Sequence, residues 1–441
     1  MVFAPTPLGN LLVFRWHIEL AALVSQRRKV SYGVNPDPCT TGEMMTTLYG
    51  KTRTRRDIST LTGDLAAFGG VRLMTYGDGI ERGQRVLEFR TGSGLRFTVM
   101  VDRAMDIAEV DHNGRAIGWQ GPSGYPPGGT IQPETEDGLG LMRGFSGFLV
   151  TCGLDHILGD EVVDAESYDY PRRDKVRHGL HGRISLQPTR LTGYGERWDG
   201  DRCTLWAEGE IRQAANFAEN LRLFRRIEVD LGDDAIRVSD RIVNAGFAVT
   251  PHMFFYHVNI GHPVLEEGAR YLAPITDAIW ASHADRYEAQ NVGYAVASAP
   301  SLTFTEQVWE HEMRSGSDGL VPVALVNDRI GLGIEVVTRK EELPCAYQWQ
   351  NFRAGAYALG IEPSTHHVTG NGAARDRGEM IWLDPLEERT YHATFRILDG
   401  AEAISAAEER ISSIAVQPAE PYPVPTGRFP KLTGAGRRST A

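Results

Sequence analysis

The chain has 441 residues, 41% hydrophobic and 23% charged, with 48 Gly, 23 Pro and 4 Cys, a composition that excludes a coiled coil, a collagen-like chain and a disulfide-stapled miniprotein. Its 46 basic against 57 acidic side chains give a formal net charge of -11, and a chain without a basic excess is a poor candidate for binding nucleic acid. Cys39, Cys152, Cys203 and Cys345 stand far apart with no CxxC pair, so the linear spacing supports neither a zinc knuckle nor a redox dithiol. Four inert thiols in a reducing compartment are expected.

Near the start, Leu11 to Val24 is the segment closest to a targeting or spanning element, but Arg15, His17 and Glu19 interrupt it, whereas a membrane helix needs about 20 mostly apolar residues. The basic cluster Arg27-Arg28-Lys29 follows this run, the reverse of a secretory signal. A cytoplasmic protein with no membrane partner is expected. Thr46 to Arg56 is polar and basic without alternation, so residues 1–60 read as an N-terminal extension, partly helical or disordered and dispensable for the chemistry.

Residues 61–400 carry the rhythm of an all-β domain: short alternating or β-branched runs separated by Gly, Pro, Asp and Asn. Strands are predicted at Val86 to Arg90, Leu95 to Val101 running on to Ile107, Thr204 to Ile211, Leu302 to Trp309, Gly331 to Val337 and Tyr391 to Leu398. Between them, Leu221, Leu223, Arg225, Ile227 and Val229 share one parity before Gly232-Asp233-Asp234 turns into Ala235 to Val243, a hairpin with one buried face. That number of strands makes a sandwich. Residues 401–441 read as a C-terminal helix over Ala401 to Ile414 and a Pro-rich tail from Pro418, an extended strap or disordered end.

The chain has no Walker loop, no GxGxxG after a strand, no HExxH and no GxSxG, so nucleotide-dependent, zincin and serine-hydrolase chemistries lack their defining parts. What remains is 13 His, several of them clustered: His178 and His181, then His252, His257 and His262, then His366-His367. On a strand, His257 and Asn259 share one face while His252, Phe254 and Tyr256 share the other. A polar pair in an apolar run suits a pocket wall, and suits equally a core histidine bonded to a carbonyl. A metal site using His252 and His257 is disfavoured because the two point to opposite faces. Glu362 ends the otherwise apolar strand Tyr357-Ala358-Leu359-Gly360-Ile361 before Pro363. A carboxylate there must be paired, protonated or functional. Burial raises its pKa and lowers that of an imidazole, so the two together form general acid–base machinery.

At these residues the sequence resembles the aldose 1-epimerases of the galactose mutarotase-like superfamily, and more closely an uncharacterised branch known only as a domain of unknown function. The resemblance runs from about Phe68 to Leu398. It is carried by Asp78-Gly79-Ile80-Glu81-Arg82-Gly83, Asp102-Arg103-Ala104-Met105-Asp106-Ile107, Leu180-His181-Gly182-Arg183, Tyr256-His257-Val258-Asn259-Ile260-Gly261 and Gly360-Ile361-Glu362-Pro363. It implies a large antiparallel β-supersandwich, here with short helical extensions at the termini, that binds a sugar on one face. Glu362 would act as base on the anomeric hydroxyl, His257 as acid on the ring oxygen and His181 as a further pocket histidine, with His178 an alternative for that position. No metal or organic cofactor is needed. The spacing departs from the family in that only Val258 separates His257 from Asn259.

Arg103 and Asp106, charged within an apolar run, are candidates to hold sugar hydroxyls or to form an internal salt bridge, and Asn259, Trp119 and Trp349 are candidates to line the pocket. The resulting expectation is a C1 epimerase acting on a small-molecule sugar. Chemistry at another sugar carbon, for which His178, His252 or His367 could supply the extra base, and a non-catalytic sugar sensor are the alternatives.

Overall fold

The computed structural model describes residues 46–166, 168, 173–282, 290, 292–420 and 422–432. The apolar Leu11 to Val24 segment and Cys39 lie outside them. Two antiparallel sheets dominate. The first has eight strands in the spatial order Thr189–Asp199, Arg202–Ala214, Asn220–Asp230, Ala235–Asn244, Glu388–Asp399, Leu332–Arg339, Leu320–Asn327 and Arg270–Leu272. The second has twelve, its main path running Ile275–Ala281, Gln307–Met313, Cys345–Asn351, Ala358–Ser364, Thr250–Ile260, Leu149–Leu154, Asp106–His112, Leu95–Met100, Arg85–Arg90 and Gly70–Thr75. Among the described residues no helix is long and apolar enough to cross a membrane.

The core between the sheets follows from parity. Leu221, Leu223, Ile227 and Val229 of the first sheet meet Phe89, Phe97, Ile107, Phe254 and Tyr256 of the second. Phe148 lies edge-on to Phe395 at 5.3 Å and Phe254 stacks on Tyr391 at 4.7 Å. Arg225, on the buried parity of its strand, crosses this layer as an ion. Its Nε and NH2 donate to Asp240 at 2.8 and 2.6 Å, and its NH1 donates to Thr151 Oγ1 at 2.7 Å. The Tyr256 hydroxyl donates to Asp240 at 2.8 Å.

The other face of the second sheet is also covered, so every residue of Thr250–Ile260 is buried. Its roof is built from short turns at Gly128–Thr130, Glu136–Gly138 and Gly140–Arg143. Ile131, Leu141 and Phe145 from this stretch, with Ile157 after the Leu149–Leu154 strand and Leu186 of the Ile184–Leu186 turn, pack on Val150, Cys152, Met253 and Phe255.

Three expectations change. The run from Leu95 to Ile107 is not one strand: Ala104 and Met105 take positive φ of 50° and 55° and turn it into a hairpin. The strand expected from Leu302 starts instead at Gln307, because Ser301 Oγ accepts from Thr303 N at 3.2 Å, a local bond that competes with the ladder. From Thr46, the extension expected to reach residue 60 is part of the packed unit. A hairpin of Thr46–Leu48 with Lys51–Arg53 and the helix Arg55–Leu61 bury Leu48 and Ile58 in the inter-sheet core. At the other end, Ala401–Ile414 is helical as expected and lays Ile404, Ala407 and Ile411 on Ala324, Val326 and Leu398. The tail beyond it is an extended strap, with Thr426 N and Gly427 N donating to Ala278 O and Ile279 O at 3.0 and 2.9 Å.

Candidate active site

Thr250–Ile260 and Ala358–Ser364 pair so that Val258 meets Ile361 and Asn259 meets Gly360. This register sets His257 opposite Glu362 on the roofed face, and the imidazole Nε2 lies 3.1 Å from the carboxylate Oε1. Both side chains are buried. The contact has the length of a hydrogen bond but not its alignment, leaving Oε1 without a hydrogen-bond partner among the described residues. Burial pushes Glu362 well above the usual carboxylate range, and the charge of Glu306 adds to the shift. Burial also lowers His257 to about 3, with the side chain of Asn259 opposing. Buried together, the two therefore form a neutral pair holding one exchangeable proton.

Aromatic rings enclose the pair. Around the His257 ring stand Phe145 at 4.8 Å, Trp349 at 5.4 Å, His181 at 5.5 Å and Phe255 at 5.8 Å. Trp119 lies edge-on to Trp349 at 6.2 Å. Trp119 and Trp349 are half-buried, and Trp349 Nε1 donates at 2.9 Å to Glu306, which is exposed, so these three mark the solvent side of the site. Gly360 leaves room at its centre: a Cβ there would stand 2.5 Å from Glu362 Oε1 and 3.2 Å from His257 Cε1.

Of the two alternative histidines, His181 is the one brought to the pair. It has a left-handed backbone with φ of 59°, an uncommon conformation for a residue other than Gly, fixed by His181 N donating to Leu158 O at 2.7 Å and by its carbonyl accepting from Gly153 N at 3.0 Å. Enclosure pushes its pKa well below normal, with His257 and His156 adding to the effect, and its Nδ1 has no partner among the described residues. His178 lies instead in a neighbouring buried cluster. It stacks on His156 at 4.7 Å, and its Nε2 is 3.2 Å from the Tyr168 hydroxyl.

Asn259 shares the His257 face and donates through Nδ2 to Gly147 O at 2.9 Å. Arg103 and Asp106 are spent within the chain. Arg103 donates to the carbonyls of Ser185, Pro126 and Gly144 at 3.0, 3.5 and 2.9 Å, which braces the loop carrying Phe145. Asp106 accepts from the backbone and hydroxyl of Thr151 at 3.0 and 2.5 Å and faces Arg225 at 3.4 Å. His252 belongs to the inter-sheet core, between Leu154 O and the Tyr391 hydroxyl, each at 2.8 Å. Phe145, Phe255 and Glu306 were not singled out by the sequence. Gly144-Phe145-Ser146-Gly147, an aromatic between glycines just before a strand, is a signal that could have drawn attention to Phe145; Glu306 has none.

Comparison with known proteins supports the fold. A candidate aldose 1-epimerase of Klebsiella pneumoniae subsp. pneumoniae is 22% identical over 78% of this chain and 87% of its own, with a TM-score of 0.70. A galactose mutarotase-like protein of Clostridium acetobutylicum is 11% identical over 75% of this chain and 98% of its own, with a TM-score of 0.49. The first of these likenesses shows the fold, a mutarotase-like antiparallel β-sandwich. No curated protein matches the chain. A family model matches residues 81–397, which include Arg103, His181, His257 and Glu362, and the chain belongs to the family that model describes, Domain of unknown function (DUF4432).

Proposed function

We propose that the chain is a carbohydrate epimerase that interconverts the anomers of a sugar by opening and reclosing its hemiacetal ring. The observation that carries this reading is the 3.1 Å approach of His257 Nε2 to Glu362 Oε1 on a buried, aromatic-walled face. Opening the ring removes the proton of the anomeric hydroxyl and delivers one to the ring oxygen. With the pair as Glu362 carboxylate and His257 imidazolium, Glu362 takes the first proton and His257 gives the second.

The products of that step are a protonated Glu362 and a neutral His257, the state that burial favours. The pocket's low polarity therefore stabilises the open-chain complex. Rotation about the C1–C2 bond presents the other carbonyl face, and the same two transfers in reverse close the ring on the opposite anomer. His181, beside His257, would bind a ring or neighbouring hydroxyl through its free Nδ1. Asn259 orients the His257 ring, and Trp119 and Trp349 offer flat faces for a pyranose. The scheme needs no cofactor. The buried free thiols of Cys152, Cys203 and Cys345 suit a reducing, cytoplasmic setting.

His181 also favours the second reading, because a third titratable group 5.5 Å from His257 is the extra base that epimerisation or elimination at another sugar carbon requires. Saturation-exchange NMR of anomeric protons across aldoses, ketoses and uronates tests the proposal. Faster α/β exchange for a sugar in the presence of the protein is expected. No acceleration for any sugar, with binding still visible as line broadening, would transfer the case to chemistry elsewhere on the ring or to a sugar sensor.

A further inference from the structure

We propose that Glu310, Cys345 and His367 bind one zinc-type divalent cation, at a site separate from the His257–Glu362 pair. Gln307–Met313 and Cys345–Asn351 are neighbouring antiparallel strands in which Glu310 pairs with Tyr347 and His311 with Ala346. Glu310 and Cys345 thus lie one diagonal step apart on the same sheet face. The chain leaving the Glu362 strand brings His367 onto them. His367 Nδ1 is 2.5 Å from Glu310 Oε1 and 3.4 Å from Cys345 Sγ, and the three donor atoms lie within 4.8 Å of one another. All three side chains are buried.

The hydrogen bonding around the trio turns its three donor atoms toward one another. His367 Nε2 stands 2.8 Å from the carbonyl of Pro430, and because a carbonyl only accepts, Nε2 carries the hydrogen. Nδ1 in turn donates to the Glu310 carboxylate in the metal-free chain, and a bound cation would take the place of that proton between His367, Glu310 and Cys345. A backbone carbonyl on the far nitrogen is the usual outer partner of a metal-bound histidine, fixing tautomer and ring orientation. Glu310 is held in the same way, its Oε2 accepting from Val368 N at 3.0 Å.

Thiolate, imidazole and carboxylate together select zinc over the hard cations calcium and magnesium, which take oxygen ligands. Bonds of about 2.0–2.1 Å to nitrogen and oxygen in a tetrahedron set those two donors about 3.3 Å apart. Binding therefore requires a small swing of the Glu310 carboxylate away from its present 2.5 Å, while the Cys345–His367 spacing is already suitable. The fourth position faces a crevice of about 380 Å³ lined by Glu310, Glu312, Lys340, Cys345 and His367, from which water can complete the shell.

Cys345 lies on the strand beside that of Glu362, opposite Ser364, while Tyr347 stands opposite Glu362, and Glu310 is one strand further out, so the cation would sit next to the pair without either of its members as a ligand. It would clamp two strands and the His367 segment together and, through Pro430, hold the C-terminal strap in place. Its readout is accordingly independent of sugar turnover.

The test uses the full chain, treated with a chelator and then titrated with Zn²⁺ and, separately, with Co²⁺. One equivalent of Zn²⁺ should bind and raise the melting temperature, and Co²⁺ should give a thiolate-to-metal charge-transfer band. Cys345→Ser should abolish that band and the thermal shift, and Glu310→Gln should weaken binding at least tenfold. No charge-transfer band with the wild-type chain, or equal Zn²⁺ uptake by Cys345→Ser, would overturn the proposal and leave His367 and Glu310 as a direct ion pair. Because the wild-type spectrum decides by itself, the test survives a variant that fails to fold.

Discussion

Replacing Glu362 with Gln separates chemistry from architecture at this site. The amide has the shape of the carboxyl, and burial already favours the uncharged form of Glu362, so the substitution exchanges one neutral group for another. Oε1 has no hydrogen-bond partner to lose among the described residues. Stability should therefore change by about 1 kcal/mol or less. Catalysis should respond very differently, because an amide cannot accept the anomeric proton. A positioned acid–base group contributes roughly 10² to 10⁴ in rate, and at 1.36 kcal/mol per factor of ten the barrier should rise by about 2.7–5.4 kcal/mol. Anomeric exchange measured by saturation transfer, with spontaneous exchange subtracted, gives the rate, and near-ultraviolet circular dichroism with a thermal melt checks the fold. A variant that keeps its fold and retains its rate within about threefold, far short of that loss, would refute the role given to Glu362. So would a rate loss fully matched by loss of folded protein.

Gly360→Ala should lower the rate about 10²-fold, the scale expected for a misplacement near 1 Å, since the new Cβ would meet Glu362 Oε1 at 2.5 Å. The melting temperature should also fall by a few degrees, because the Cβ would crowd Trp349 Cβ at 3.1 Å and His257 Cε1 at 3.2 Å as well; a normal rate counts against Gly360 as the space that seats the carboxylate. The pH dependence of the rate follows from the pair holding one proton. A second proton reaches His257 only at about 3, and acidification keeps the shared proton on a Glu362 whose pKa is raised, so the rate should not fall as the pH is lowered through the ordinary imidazole range to about pH 5. An acid limb near 6.5, the value of an ordinary imidazole, would show that His257 is not held neutral by burial. Asp240→Asn should destabilise the protein by about 3 kcal/mol, because it removes the two-pronged carboxylate partner of the buried Arg225 and leaves it only Asp106 at 3.4 Å. A fall in the urea midpoint at unchanged slope is the expected record, and an unchanged midpoint would mean that the pair contributes nothing to the junction of the sheets.

How much of this was legible in the sequence depends on the range of the interaction that decides each feature. The Asn220–Asp230 and Ala235–Asn244 hairpin and the Ala401–Ile414 helix are settled by local periodicity and turn chemistry, and both stand where that periodicity puts them. Which face of the His257 strand is polar is equally local. That this face is roofed is not, because the residues that cover it come from irregular connections spread from Ile131 to Leu186. The choice between His178 and His181 turns on backbone shape. His178 ends a short strand in regular alternation, whereas the left-handed turn at His181 redirects its ring toward His257. Arg103 and Asp106 are conspicuous as charges among apolar neighbours, but their partners, Ser185, Gly144, Thr151 and Arg225, are set by how distant segments dock. The opposition of His257 and Glu362 is a matter of register between strands separated by about a hundred residues of chain, and a slip of one position would have sent the two to opposite faces. The same logic governs the cysteines. Linear spacing excludes a CxxC-type metal knuckle, yet Cys345 meets Glu310 and His367 because two strands and the segment leaving a third converge there, so ligand sets built across a sheet carry no signature in the order of residues along the chain.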